Sequence, residues 1–272
     1  MGIVNLSEDS FSGDGTADLD AAILNAHNQV SAGADIIDLG GESARTNRGP
    51  ISVKEEIARF TSFIERWEIA RKLTSPRDAA QLWPPILSIN TWRLEVIEEL
   101  IPHGLVEMVN DMSGLPDARR ATVCANYRAA LLIMHSVGEP KVPHLTTQWD
   151  DVMASMESFF ADKIALAIAG GMDARALILD PGIDFAKQRD DNLTVYRELG
   201  RLQQFACPVM VPVSRKTVIG EVLDLPNPQD RDAGTIACIS LAMDRGAQMF
   251  RVHNVSAAWQ AVKALHALLE KP

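Results

Sequence analysis

The chain has 272 residues, a formal charge of -10 and a pI near 5.1, with 47% hydrophobic and 23% charged residues. These are the proportions of an ordinary soluble globular protein, and the acidic balance argues against nucleic acid or an anionic membrane surface as the main partner. No apolar run reaches the roughly 18 residues that a membrane span needs, and cysteines without a CxxC pair lead to the expectation of a cytoplasmic protein.

In chain order, short apolar runs alternate with helical patterns, and each run stops on a polar residue. The first is Ile3-Val4, ending on Asn5, so a secretory leader is not expected, and so abrupt a start suggests a few residues missing upstream. A polar loop over 7–16 leads to helical spacing over 18–32, closed by Gly33. Ile36-Ile37 ends on Asp38, and a second polar loop covers 40–50. Ser52-x-x-Glu55 is a capping-box pattern that predicts the next helix start. The third run, 87–89, ends on Asn90, with a helix expected over 92–101. The fourth, Met108-Val109, ends on Asn110-Asp111, with a helix near 117–127. The fifth, 131–134, ends on His135, then a long loop and a helix over 149–169. The sixth, 177–179, ends on Asp180, followed by a helix over 192–205. The seventh, 211–213, ends on Ser214-Arg215-Lys216, and its helix is broken at Pro226 and Pro228 before resuming near 232–245. The eighth, 249–252, precedes His253, and a helix over 256–269 closes the set.

Eight strand–helix units in this length predict an α/β fold, a (β/α)8 TIM barrel, as a single domain over 1–272. A doubly wound open sheet is the rival, but it usually carries a Gly-rich phosphate turn after its first strand, and none is present. In a barrel the strand C-termini converge on the catalytic face. Asn5, Asp38, Asn90, Asn110, His135, Asp180, Lys216 and His253 are therefore expected around one mouth. Cys124, Cys207 and Cys238 are widely spaced with no CxxC pair, and are expected as reduced core thiols.

The stops suggest chemistry. A partly desolvated Asp180 suits a neutral ligand with paired N–H donors, or else caps the following turn. Asn90 and Asn110 side by side offer donors and acceptors for a heterocycle edge, though either could be a satisfied structural amide. Strand alternation points Arg251 and His253 the same way. With Arg215 and Lys216 they make a cationic corner on the last two strands, where barrels often bind phosphate. The loops over 7–15 and 40–50 have the composition of lids. No HExxH, zinc spacing, P-loop or GxSxG is present, and nothing specifies a metal site for His135 and Asp180.

Certain stretches carry a family likeness: 1–5 with 9–12, 33–43 with Arg45, Asn110-Asp111 with Ser113-Gly114, Met134-His135, 180–183 with Phe185 and Lys187, 214–216 with Ile219-Gly220, Gly234-Thr235, and Arg251-Val252-His253. With these in order at strand ends, the chain resembles dihydropteroate synthase, of the pterin-binding barrel superfamily, from residue 1 to about 268. The resemblance implies condensation of dihydropterin-CH2-pyrophosphate with 4-aminobenzoate, releasing pyrophosphate. It implies that Asn110 and Asp180 hold the pterin edge, with Asn90, Phe185 and Lys216 around the ring. Asn5, Arg251 and His253 would bind pyrophosphate, Asn5 through Mg2+. Phe11, Arg45 and Ser214 would seat the aminobenzoate. Asn90, Asp180, Lys216 and Arg45 would be the catalytic group, through charge stabilisation and positioning. A homodimer is implied, and Ile236, Leu241, Leu265 and Leu268 could form its interface or pack on the barrel.

The chain departs from the family pattern at several places. Asn90 stands where the family has Asp, Ser43-Ala44-Arg45-Thr46 where it has Ser-Thr-Arg-Pro, and Ser7-Glu8 where it has Thr-Pro. Asp184, Ala186 and Pro212 replace glycines. A pterin-binding paralogue with another amine acceptor, with sulfonamide tolerance or without synthase activity is the alternative. A pterin-dependent methyl carrier has no need of the cationic corner.

Overall fold

The structure, a computed structural model, describes residues 1–272 except 8–14, 17, 44–48, 139, 143–146 and 270–272. Six strands form one parallel sheet in sequence order: β1 (Gly2–Asn5), β2 (Ile36–Gly40), β3 (Ile86–Thr91), β4 (Met108–Asp111), β5 (Ala130–Met134) and β6 (Leu177–Asp180). β7 (Met210–Val211) and β8 (Met249–Phe250) form a short parallel pair. Bridges Leu179↔Val209 and Gly2↔Val252 join this pair to β6 and β1, closing the ring of the expected barrel.

The helices α1 (Leu19–Ser31), α2 (Val53–Ala70), α3 (Leu94–Leu100), α4 (Arg119–Tyr127), α5 (Val152–Ala169), α6 (Arg189–Glu198), α7 (Thr217–Leu223), α8 (Asp232–Asp244) and α9 (Val255–Leu269) follow the strands. The main core lies between strands and helices, where Ile37, Leu39, Leu87, Ile89, Phe60, Phe63 and Trp67 are buried. A smaller cluster of Ile36, Met108, Leu132, Met134, Ile178 and Met210 fills the barrel interior. Buried on both faces, the strands read as continuous apolar runs.

Local caps move several helix ends. α5 starts at Val152 rather than Trp149 because the Asp151 carboxylate accepts the Met153 and Ala154 N–H groups at 2.9 Å. α6 starts at Arg189, three residues earlier than expected, where Gln188 and Asp191 complete a capping box, and residues 199–205 tighten into a 3-10 turn. Ser52 caps α2 as expected, but the Glu55 side chain accepts from Arg59, so the capping box is half made. Cys124 and Cys207 are buried, Cys238 is half-buried, and all three are free thiols. Ile236 and Leu265 pack against the core, whereas Leu241 and Leu268 are exposed.

Strand parity decides which stops face inward. Asn5, Gly40, Asn90 and Asn110 are cross-strand partners in one layer at the C-terminal end of the sheet. His135 and Asp111 fall on the opposite phase, with Ile133 and Val109, and point toward the helices.

Candidate active site

The C-terminal face holds a cavity of about 280 Å³, the scale of a small heterocyclic ligand. Asn5, Asn90, Asn110, Asp180, Lys216 and His253 line it, as do Phe185, Ser214 and Arg251. Phe11 and Arg45 lie outside the described residues. Ile3, Met112, Met134 and Pro212 add an apolar surface that the sequence reading did not assign to the site; the alternation along each strand is the signal that finds Ile3 and Met134.

Two of the expected mouth residues lie elsewhere. Asp38 sits one layer below the cavity, fully buried, where it accepts from Ser88 Oγ at 2.7 Å, Asn110 Nδ2 at 3.1 Å and Arg251 Nε at 2.6 Å. By holding the Asn110 NH2, Asp38 leaves the amide oxygen as the group offered to the cavity. Asp38 thus acts through Asn110 and Arg251, and the hydroxyl of Ser88 completes this buried network.

His135 points out of the barrel, among Trp149 (5.4 Å between ring centroids), Phe159 (5.0 Å) and Phe160. Burial, then the adjacent Lys187, brings His135 down to about 3, so the ring is neutral. Among the described residues it gathers with Asp180 into no group that could hold a metal. The Lys187 ammonium lies 2.9 Å from His135 Nδ1 and donates to the carbonyls of Gly182 (3.1 Å) and Phe185 (3.2 Å). Burial pushes Lys187 down to about 7, against the pull of Asp180. This lysine is the internal support of the turn that follows β6.

That turn positions Asp180. Its Oδ1 accepts the Gly182 N–H at 2.7 Å, and among the described residues no protein donor reaches Oδ2. Gly182 is required there: its φ is +65° and a Cβ would lie 2.0 Å from the His135 carbonyl oxygen. Burial raises the Asp180 carboxyl to about 6, while the Gly182 N–H, Lys216, Lys187 and Arg251 oppose the rise. The result is a desolvated acceptor facing the same cavity as the amide oxygen of Asn110, complementary to a ligand edge with N–H donors.

Lys216 comes from the loop after β7. Its ammonium donates to the Ile183 carbonyl at 2.8 Å and lies 4.9 Å from the Phe185 ring centroid. Burial lowers its pKa, against Asp184 and Asp180. Ser214 Oγ accepts the His253 N–H at 3.2 Å and lies 2.8 Å from His253 Nδ1, so it orients the imidazole. Arg215 does not join the cationic corner. Its φ is +58°, and its guanidinium donates to Asp232 at 2.7 and 3.2 Å, on the side of α8. Among the described residues, the Lys and Arg side chains at the cavity wall are Lys216 and Arg251.

The sequence of this chain matches the family model for pterin-binding enzymes over residues 1–253. Dihydropteroate synthase of Synechocystis is 37% identical over 270 residues, 98% of this chain and 89% of that protein. The Bacillus subtilis dihydropteroate synthase is 36% identical, over 100% of this chain and 88% of its own. The chain belongs to the dihydropteroate synthase family of pterin-binding enzymes. Among solved members of this family, the Yersinia pestis dihydropteroate synthase in complex with a sulfonamide drug superimposes with a TM-score of 0.87 at 33% identity, covering 98% of this chain and 92% of that one. The Xanthomonas albilineans dihydropteroate synthase with 4-aminobenzoic acid gives 0.86 at 33% identity, covering 100% and 93%. The family's barrel is thus the fold of this chain, and its strand ends line the cavity described above.

Proposed function

We propose that this chain is a dihydropteroate synthase, a transferase that joins dihydropterin-CH2-pyrophosphate to 4-aminobenzoate. The C–O bond to pyrophosphate breaks, a C–N bond to the amine forms, and the amine nitrogen releases one proton. The observation that carries this reading is the buried pair of acceptors, Asp180 Oδ2 and the Asn110 amide oxygen, facing one cavity with Lys216 and Phe185. The pair would take the N–H edge of a pterin, and Lys216 with Phe185 would flank the ring. Arg251 and His253 would bind the pyrophosphate, with Asn5 beside them. On this reading, charge stabilisation and orientation do the chemical work, and no proton shuttle is needed.

Mg2+ is the metal the family resemblance implies. Among the described residues no three His, Cys, Asp or Glu side chains gather. Among the described residues, Asn5 would contribute one amide oxygen. That fits an ion brought in with pyrophosphate, whose oxygens and water supply the other ligands. When bound, Mg2+ would neutralise part of the leaving group's charge. Phe11, Arg45 and Ser214 are proposed on the aminobenzoate side. We propose a cytoplasmic homodimer of single-domain subunits, using the exposed Leu241 and Leu268; a monomer in light scattering would overturn the dimer. Among the described residues no helix is long and apolar enough to cross a membrane.

The test is the purified protein with Mg2+, dihydropterin pyrophosphate and 4-aminobenzoate. Dihydropteroate formation is expected, and none above background sinks the proposal. Pterin affinity should also depend on pH. With Asp180 raised to about 6, the binding carboxylate is ionised above that pH and protonated below it. Pterin affinity should therefore be flat above about pH 7 and fall by up to tenfold per unit below about 6, read by calorimetry. A flat profile down to pH 5 would remove Asp180 from the grip.

Asn90 lies in the cavity wall beside Asn110 on the neighbouring strand, in the mouth layer. A carboxylate there would attract a pterin cation about 4 Å away by roughly 4 kcal/mol at an effective dielectric near 20, most of it offset by desolvation. Asn90→Asp is expected to keep kcat or raise it by up to about tenfold. A large loss in steady-state turnover would show that the amide has a role of its own.

A further inference from the structure

Besides Asp180, two described carboxylates line the cavity, and they differ in how their charge is met. Glu42 is paired with both Arg93 and Lys141. Asp184 forms no ion pair among the described residues. Its two oxygens accept the backbone N–H groups of Thr217 and Val218, at the start of α7.

Asp184 is held deliberately in a costly conformation. Its φ is +67°, the left-handed region that Asp enters more readily than most residues. Its own N–H donates to Asn192 Oδ1 at 2.8 Å. Next to it, Lys216 donates to the Ile183 carbonyl. Consecutive residues thus staple the turn after β6 to the loop after β7. They leave a fixed carboxylate in the wall formed by Phe185, Lys216 and Thr217.

The amine would enter along this wall, beyond the pterin ring that Phe185 and Lys216 flank. Asp180 and Asn110 are buried in the cavity, and Arg251 and His253, just after β8, with Asn5 at the end of β1, would form the pyrophosphate end. Where the wall continues past the pterin, Phe185, with the Lys216 ammonium beside it, would meet the aryl ring of the amine as well. The backbone donors of Thr217 and Val218 that an anionic substituent could use are already engaged by Asp184.

We propose that Asp184 is a specificity-determining residue for the second substrate, disfavouring a carboxylate on the amine and widening acceptance toward neutral aryl amines. This rests on the synthase reading and specifies its acceptor site. The test compares kcat/KM for 4-aminobenzoate and for 4-aminobenzamide in the native enzyme, Asp184→Asn and Asp184→Gly. Asparagine keeps the shape and tolerates the left-handed backbone, and glycine removes the side chain altogether.

In both variants the preference for benzoate over benzamide should rise by roughly five- to tenfold, the size expected for removing one unit charge at a partly wet site. A preference that stays within about twofold of the native value in both, even if both rate constants fall together, overturns the proposal and leaves Asp184 a loop staple. If the native protein turns over neither amine, the synthase reading fails separately. The same preference is then read from the equilibrium dissociation constants of the two amines, and an unchanged ratio there overturns the role of Asp184.

Discussion

Asp180→Asn is expected to cut kcat/KM by roughly 10²- to 10⁴-fold, mostly through lost pterin affinity. Asp180 offers an ionised acceptor in a site from which water is excluded, and hydrogen bonds to a charged group are worth about 1.5–3 kcal/mol each. One such bond is lost, and a donor left facing an N–H costs about 1–3 kcal/mol more, roughly 3–6 kcal/mol together. The asparagine also turns one acceptor into a donor, which faces either the ligand's N–H or the Gly182 N–H. Because the bond is present in both the ground state and the transition state, the loss should appear in pterin dissociation more than in kcat.

Stability should move the other way. Folding raises the Asp180 pKa from 3.8 to about 6, so the folded state binds more protons than the unfolded state between those values. Above about pH 6 the ionised carboxylate is therefore a net burden on folding, and neutral asparagine removes it. An apo variant that melts at or above the native temperature, yet binds pterin poorly, is the expected combination. A variant that binds pterin normally would refute the assignment.

Arg251→Met is expected to lose both stability and activity. The guanidinium is mostly covered, with 18% of the side chain exposed, and Asp38 is fully buried. Removing the cation leaves Asp38 with only the Ser88 hydroxyl and the Asn110 amide as donors among the described residues. Breaking a buried pair in this way costs about 3–5 kcal/mol. A thermal midpoint lower by roughly 6–15 °C is the corresponding shift for a chain of this size. Losing the proposed pyrophosphate contact should lower kcat/KM by about a further 10- to 100-fold.

The two effects are separable. Asp38→Asn in the Arg251→Met background removes the stranded carboxylate, so it should restore a good part of the stability and none of the pyrophosphate affinity. Equal melting of Arg251→Met and the native protein would mean that Asp38 is not compensated by Arg251.

The fold was legible because buried parallel strands must be apolar on both faces, and because the chain turns polar where each strand leaves the core. Asn90, Asn110, Asp180 and His253 could be placed at the cavity on that basis alone. His135 could not. It ends a strand as Asp180 does, but its phase matches Ile133, and only the position of Lys187 and the aromatic residues of α5 reveals the outward pocket. Asp38 was misjudged in depth rather than direction, since it lies two residues before the end of β2, a layer beneath Gly40. Arg215 was misdirected by a left-handed backbone step, which a non-glycine residue does not advertise. The start of α6 was missed because Gln188 and Asp191 cap it with an arrangement less distinctive than Ser-x-x-Glu.

The ring is not uniformly knit. From β1 to β6 the ladders run through four or five residue pairs each, whereas β7 and β8 share two, and single bridges tie that pair to its neighbours on both sides. Mechanically this makes two staves, one broad and one narrow. The broad one carries Asn90, Asn110 and Asp180, and the narrow one leads into Ser214, Lys216, Arg251 and His253. If the pterin is held by the first and the pyrophosphate by the second, the bond to be broken straddles the joint between them. The most weakly laced part of the backbone would then lie under the atoms that have to separate.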